Sequence, residues 1–355
     1  MITHISTIVY SNVNGVENFL EIEGFVMNNM LYRDRSLPFL TVGGFRNICY
    51  REWGDPKNTK VVICVHGLSR NRLDFDTIAA AICANYRVVA IDMPGRGKSD
   101  WLDNKEDYNY LWNIREQPPL FHNILTSLIT RLDVNCVDWI GTSMGGLLGI
   151  EIAAQKASPI QKLILNDIGP FVSGASRQAN AALANAAGEY ETEAEAIAFV
   201  LESKKAFGPF TGEAAQKFAL DSISKSSDGK WRMHYDPMIT HSRKKIDTDL
   251  WDAWKRILCP VLTIWGEEST LLSEETVQKM RSTGPKTNLL GMPGIGHCPG
   301  LTSSIEIDTI KNFLNQKTQK KKLCNEVQTA TGLERASGRT KSFQTSDMQV
   351  FFVWN

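Results

Sequence analysis

The chain has no long apolar run. None of its hydrophobic stretches approaches the ~20 residues needed to cross a bilayer as a helix, so a membrane span is not expected. It has no net charge either: 39 Lys and Arg balance 39 Asp and Glu. A whole-molecule partnership with nucleic acid or an anionic membrane is therefore not indicated. The opening residues MITHISTIVYSN lack the basic and apolar regions of a secretory signal. No CxxC pair occurs among the seven cysteines, Cys49, Cys64, Cys83, Cys136, Cys259, Cys298 and Cys324. Several sit in apolar runs, which suggests reduced core cysteines in a cytoplasmic protein. No His, Cys or Asp cluster has metal-ligand spacing, and no metal is expected. The stretch Gly97-Lys98-Ser99 looks like the end of a phosphate loop. The full motif fails, because Asp92 stands where it needs a glycine and Pro94 lacks an N–H.

What is present is ample apolar material, 43% of 355 residues, arranged in a rhythm. The runs KVVICVHG (60–67), YRVVAIDMPG (86–95), CVDWIGTS (136–143), IQKLILNDIGP (160–170), CPVLTIWGE (259–267) and TNLLGMPGIGH (287–297) each read as a short buried strand ending in a turn. Continuous rather than alternating hydrophobicity marks strands covered on both faces. Helical patterns lie between them, at roughly 74–84, 119–132, 144–157, 273–282 and 303–315. This alternation predicts an α/β fold with a mostly parallel, doubly wound sheet. FRNICYREWG (45–54) adds an earlier strand, antiparallel at one side.

The expected organisation is an N-terminal extension (1–40) with no clear pattern, a core (41–170 and 251–316), a helical cap (171–250) and a tail (317–355). The cap segment shows no evident strand and is rich in Ala and Glu. It would sit over the carboxyl ends of the strands, where ligands bind in such folds. The tail carries seven Lys or Arg against three Asp or Glu, and its polar composition predicts disorder.

Gly141-Thr142-Ser143-Met144-Gly145 matches G-x-S-x-G, between a predicted strand and a predicted helix. A nucleophile on so sharp a turn needs small residues two before and two after it. Ser143 is the candidate nucleophile, and the N–H of Met144 points where an oxyanion would form. His66-Gly67-Leu68 follows an earlier strand, and the Leu68 N–H is the candidate second donor. His66 itself reads as a residue that shapes its loop. On this fold the base comes late in the chain. Among six histidines, His297 alone lies in a glycine-rich loop between the last strand and the last helix. His234 and His241 fall in the cap and are poorer candidates.

Taken together, His66-Gly67, DMPGRGKS (92–99), GTSMGG (141–146), NDIGP (166–170), WGEES (265–269) and the GxGH of 294–297 resemble the α/β-hydrolase superfamily in order and spacing. The resemblance covers about residues 41–316. It is nearer to small serine esterases with an Asp-Ile-small-Pro segment after the strand that follows the nucleophile helix. It implies the α/β-hydrolase fold, a helical cap and a cofactor-free Ser-His-acid hydrolase acting on a small acyl substrate. Most members carry the acid in the loop after the strand written here as VLTIWG. That loop holds Ser269 and Thr270 instead. Asp167 is the favoured acid, as in some esterases of the resembling branch, with Glu267 or Glu268 as alternatives. The reaction expected is hydrolysis of a carboxylic ester or thioester. Carbon–carbon bond hydrolysis, lactone hydrolysis or a non-catalytic binding role are the alternatives. Phe171, Phe207, Phe210, Trp231 and Tyr235 are candidates for lining an apolar pocket.

Overall fold

The computed structural model describes residues 3–13, 16–27, 30–112, 118–203, 212–240 and 246–317, with side chains from Tyr32 onward. Four strands open the chain: β1 (Thr3–Val13), β2 (Val16–Met27), β3 (Met30–Thr41) and β4 (Gly44–Trp53). Each pairs antiparallel with the next. Then follow β5 (Val61–Val65), α1 (Asp76–Ile82), β6 (Arg87–Ile91), α2 (Leu120–Arg131), β7 (Val137–Thr142), α3 (Met144–Ala153) and β8 (Ile160–Asn166).

An insertion comes next. It holds β9 (Phe171–Val172), α4 (Gly174–Asn185), β10 (Glu189–Tyr190), α5 (Glu193–Ser203), α6 (Gly212–Leu220), β11 (Ile223–Lys225), β12 (Trp231–Met233) and β13 (Thr248–Asp249). The chain returns through α7 (Trp251–Arg256), β14 (Val261–Gly266), α8 (Glu274–Ser282), β15 (Asn288–Met292) and α9 (Ser304–Asn315).

One ten-stranded sheet results, in the order β1-β2-β3-β4-β6-β5-β7-β8-β14-β15. From β6 to β15 it is parallel, and β4 joins it antiparallel to β6, with Tyr50 opposite Ile91. The apolar runs account for this. All five residues of β5 are buried, and so are four of the five in β6. Apolar side chains pack on both faces. Trp139 and Leu163 sit on the face that carries α3, and Ile140 and Ile164 on the face that carries α1 and α9. Parallel strands buried on both faces put every strand's carboxyl end at one edge, where the loops collect.

Three expectations need correction. The first 40 residues were expected to be patternless, yet three strands run through them. In a meander the pairing of neighbouring backbones supplies the order, and side-chain alternation need not announce it. The insertion was expected to be helical with no evident strand, but β10, β12 and β11 form a small antiparallel sheet, and β9 pairs with β13. These strands are two or three residues long, too short to show a period. Finally, Cys49, Cys64, Cys83, Cys259 and Cys298 are reduced thiols outside any disulfide, but Cys136 is disulfide-bonded. The tail expectation lies outside the described residues. No described helix is long and apolar enough to cross a membrane.

One half-buried carboxyl gives the fold a pH signature. Burial pushes Asp138, on β7, up from its ordinary 3.8 to about 6, against the attraction of Lys162. The folded chain therefore holds this proton more tightly than the unfolded chain, and the site loses stability as pH rises from about 4 to 6. Asp138 Oδ1 is buried without a hydrogen-bond partner. Asp138→Asn is expected to raise unfolding free energy by on the order of 1 kcal/mol at neutral pH and to change it little near pH 4. Urea midpoints at the two pH values check this, and an unchanged midpoint at neutral pH would contradict it.

Candidate active site

At the carboxyl end of β7 the chain turns sharply into α3, with Ser143 at the corner. Its backbone is in the left-handed region, φ 49° and ψ −110°. That is costly for a non-glycine residue and is held by its surroundings. The Ser143 N–H donates to the Asn166 carbonyl of the neighbouring strand at 3.1 Å. The flanking glycines allow the turn by close approach. A methyl on Gly141 would collide with the backbone of Gly145, and one on Gly145 with the Val65 carbonyl. The elbow is thus pressed against β5.

The loop after β5 lies beside it. His66 is fully buried and sits between two backbone groups: Nδ1 lies 2.6 Å from the Gly67 carbonyl, and Nε2 accepts from the Met93 N–H at 3.0 Å. Burial pushes its pKa down to about 3, so it stays neutral and shapes the loop. The N–H groups of Leu68 and Met144 are engaged by no described residue, although both residues are buried. They are two donors left open beside Ser143.

Asp167, also with positive φ (53°), follows the end of β8. It is fully buried. Its Oδ2 lies 2.6 Å from His297 Nδ1. Ser269 Oγ donates to the same oxygen at 2.6 Å, and the Gly266 N–H donates to Oδ1 at 2.9 Å. Ser269 is itself fixed, since its Oγ accepts from the N–H groups of Leu271 and Leu272 at 3.2 Å each. The later loop, where the resemblance led an acid to be expected, therefore contributes a donor to Asp167. Glu267 and Glu268 are exposed. Ser143, His297, Leu68 and Thr142 line one small cavity, together with Gly67, Ser69, Arg70, Asn180 and Cys298.

A larger cavity of about 210 Å³ adjoins it and shares Arg70, Thr142 and Cys298 as walls. Leu73, Phe75, Phe218 and Leu301 give it an apolar character. Arg70 stands at the junction. Its Nε donates to Asp74 at 3.0 Å, its Nη1 reaches Ser222 Oγ of the insertion, and its guanidinium lies 3.8 Å from the centre of the Phe218 ring. Sequence reasoning missed Arg70, Asn180, Phe218 and Ser269. Of the aromatics it proposed, Tyr235 lines a further cavity beyond Arg70. Phe171 and Trp231 are not on the wall of the Ser143 cavity, and Phe207 and Phe210 lie outside the described residues. His234 is buried against Gly97, and His241 lies outside the described residues.

The model of the alpha/beta hydrolase family matches residues 62–306. The chain belongs to the α/β hydrolase family. It is 34% identical, over 285 residues, to a 3-hydroxybutyrate-oligomer hydrolase of Cupriavidus necator, covering 77% of this chain and 94% of that one. A putative esterase/lipase of Haemophilus influenzae is 26% identical over 73% of this chain and 84% of its own length. The crystal structure of a putative hydrolase from Rickettsia typhi superposes with a TM-score of 0.73 at 32% identity, covering 81% of this chain and 99% of that one. This family member is a hydrolase.

Proposed function

We propose that this hydrolase cleaves a carboxylic ester or thioester of a small acyl substrate, with Ser143 as nucleophile, His297 as base and Asp167 as the orienting acid. The observation that carries the reading is the 2.6 Å contact between His297 Nδ1 and Asp167 Oδ2, beside the strained Ser143. Asp167 holds the proton on Nδ1, which leaves Nε2 free to take the Ser143 hydroxyl proton. Ser143 Oγ then bonds to the carbonyl carbon. The N–H groups of Leu68 and Met144 receive the negative charge on the carbonyl oxygen. The tetrahedral centre collapses, the C–O or C–S bond breaks, and His297 returns its proton to the leaving group. Water, deprotonated by the same imidazole, releases the acid from Ser143.

The insertion, read as the cap, supplies part of the pocket through Asn180 of α4 and Phe218 of α6. The cavity of about 210 Å³ suits an uncharged aliphatic segment. The charges at its rim are already paired, Arg70 with Asp74 and Lys217 with Asp221. Short oligoesters of aliphatic hydroxy acids, the class named for the Cupriavidus relative, fit such a pocket. The assay is hydrolysis of p-nitrophenyl esters from acetate to decanoate and of 3-hydroxybutyrate dimers and trimers. Turnover lost in Ser143→Ala supports the reading. A wild type as inactive as Ser143→Ala on every ester and thioester overturns it.

Arg70→Ala removes the partition between cavities and is expected to move the preferred chain length upward. Each further methylene buried contributes ~0.8 kcal/mol, about fourfold in kcat/KM. An unchanged length profile in Arg70→Ala would contradict the assignment of this cavity.

A further inference from the structure

The loop at 92–100 has no part in the mechanism above, yet it sends a fully buried arginine to the back of the site. Arg96 Nε donates to the Leu68 carbonyl at 2.9 Å, and Nη1 donates to the Pro94 carbonyl at 2.6 Å. Its Nη2 lies 3.9 Å from Met144 Sδ. The rings of Tyr108 and Phe121 flank the guanidinium at 5.5 and 5.6 Å. One planar cation therefore touches both residues whose N–H groups stand open beside Ser143. Leu68 follows β5 and Met144 begins α3. These are separate elements, and their two donors must keep a fixed separation to act on one oxygen.

The same loop is fastened to the insertion. Arg96 forms an antiparallel bridge with Tyr235. The Gly97 N–H donates to the His234 carbonyl at 3.0 Å, and the Asp236 N–H donates to the Gly95 carbonyl at 2.8 Å. Tyr108 Oη donates to Asp236 Oδ2 at 2.6 Å, which ties the same corner again.

We propose that Arg96 is a positioning residue: it sets the spacing of the Leu68 and Met144 donors, and the docked insertion holds it in place. The inference rests on the reading of those two N–H groups as the oxyanion site. Arginine suits the task because its rigid fork serves several acceptors at once and it stays charged when buried. Its positive charge behind the donors also favours the oxyanion over the neutral carbonyl.

The test compares wild type, Arg96→Lys, Arg96→Met and Arg96→Ala, with active sites titrated so that only folded, competent protein is counted. Turnover of a short p-nitrophenyl ester is measured beside inhibition by an aliphatic trifluoromethyl ketone, which forms an oxyanion on the nucleophile. Arg96→Met is expected to lose about 10²-fold in kcat, the scale of one oxyanion donor, with KM little changed. Its affinity for the ketone should fall in step with kcat/KM. Arg96→Lys keeps the charge without the fork and should fall between. Guanidinium should restore part of the turnover of Arg96→Ala, which a purely structural loss would not allow. Unchanged kcat per titrated site in both Arg96→Met and Arg96→Lys overturns the proposal, as does a loss of kcat with ketone affinity retained. A wild type that neither turns over the ester nor binds the ketone overturns the underlying reading and this inference with it.

Discussion

Asp167→Asn is expected to lower kcat about 10⁴-fold on any ester the wild type accepts, while Glu267→Gln and Glu268→Gln leave it close to wild type. The asparagine keeps shape and volume but cannot hold the imidazole in the tautomer that frees Nε2. The effect should be large because Asp167 is fully buried and its Oδ2 faces both His297 and Ser269. The carboxylate paired with His297 Nδ1 is that of Asp167. Ser269→Ala should be milder. It removes one donor from the carboxylate, a hydrogen bond to a charged group contributing ~1.5–3 kcal/mol, and leaves the His297 contact in place. Steady-state kinetics on the four variants separates these outcomes. Survival of Asp167→Asn, paired with collapse of Glu267→Gln or Glu268→Gln, would move the acid into the later loop.

Gly145→Ala carries the largest expected cost to the fold. Overpacking destabilises by roughly 1–3 kcal/mol where side chains give way, and by more where they cannot. The obstacle here is the Val65 carbonyl, on a central strand whose five residues are all buried. Either β5 or α3 must move; Leu68 follows the first and Met144 begins the second, and theirs are the two proposed oxyanion donors. The variant should therefore unfold at lower denaturant and lose activity even in its folded fraction. Gly188→Ala is the control, since a methyl there meets nothing within 4 Å. A Gly145→Ala protein with wild-type midpoint and turnover would contradict the account of the elbow.

The legible parts of this chain are those set locally. The core strands were visible as continuous apolar runs, and the elbow as two glycines spaced about a serine. His297 was visible because a glycine-rich loop between the last strand and the last helix is a local feature. The expectation that Asp167 and His297 meet came from spacing and from resemblance, and the two side chains do lie in contact. The role of Ser269 was hidden. Its residue type said only that it could not replace a carboxylate, and a donor to a side chain 102 positions away has no local mark. Arg70 and Arg96 were missed for the same reason. Buried arginines look like surface arginines in a sequence, and their partners Ser222 and Leu68 come close only through tertiary packing. The N-terminal meander and the short strands of the insertion depend on pairing across turns rather than on a hydrophobic period.

The central claim is that Ser143 is an activated nucleophile. The most direct measurement is reaction with a fluorophosphonate, followed by intact mass and peptide mapping of wild type, Ser143→Ala and His297→Ala. The expected result is one adduct per chain in wild type, on the peptide that contains Ser143. It should be absent in Ser143→Ala and strongly slowed in His297→Ala. A folded wild type that takes up no label, or takes it up at another residue, would contradict the account.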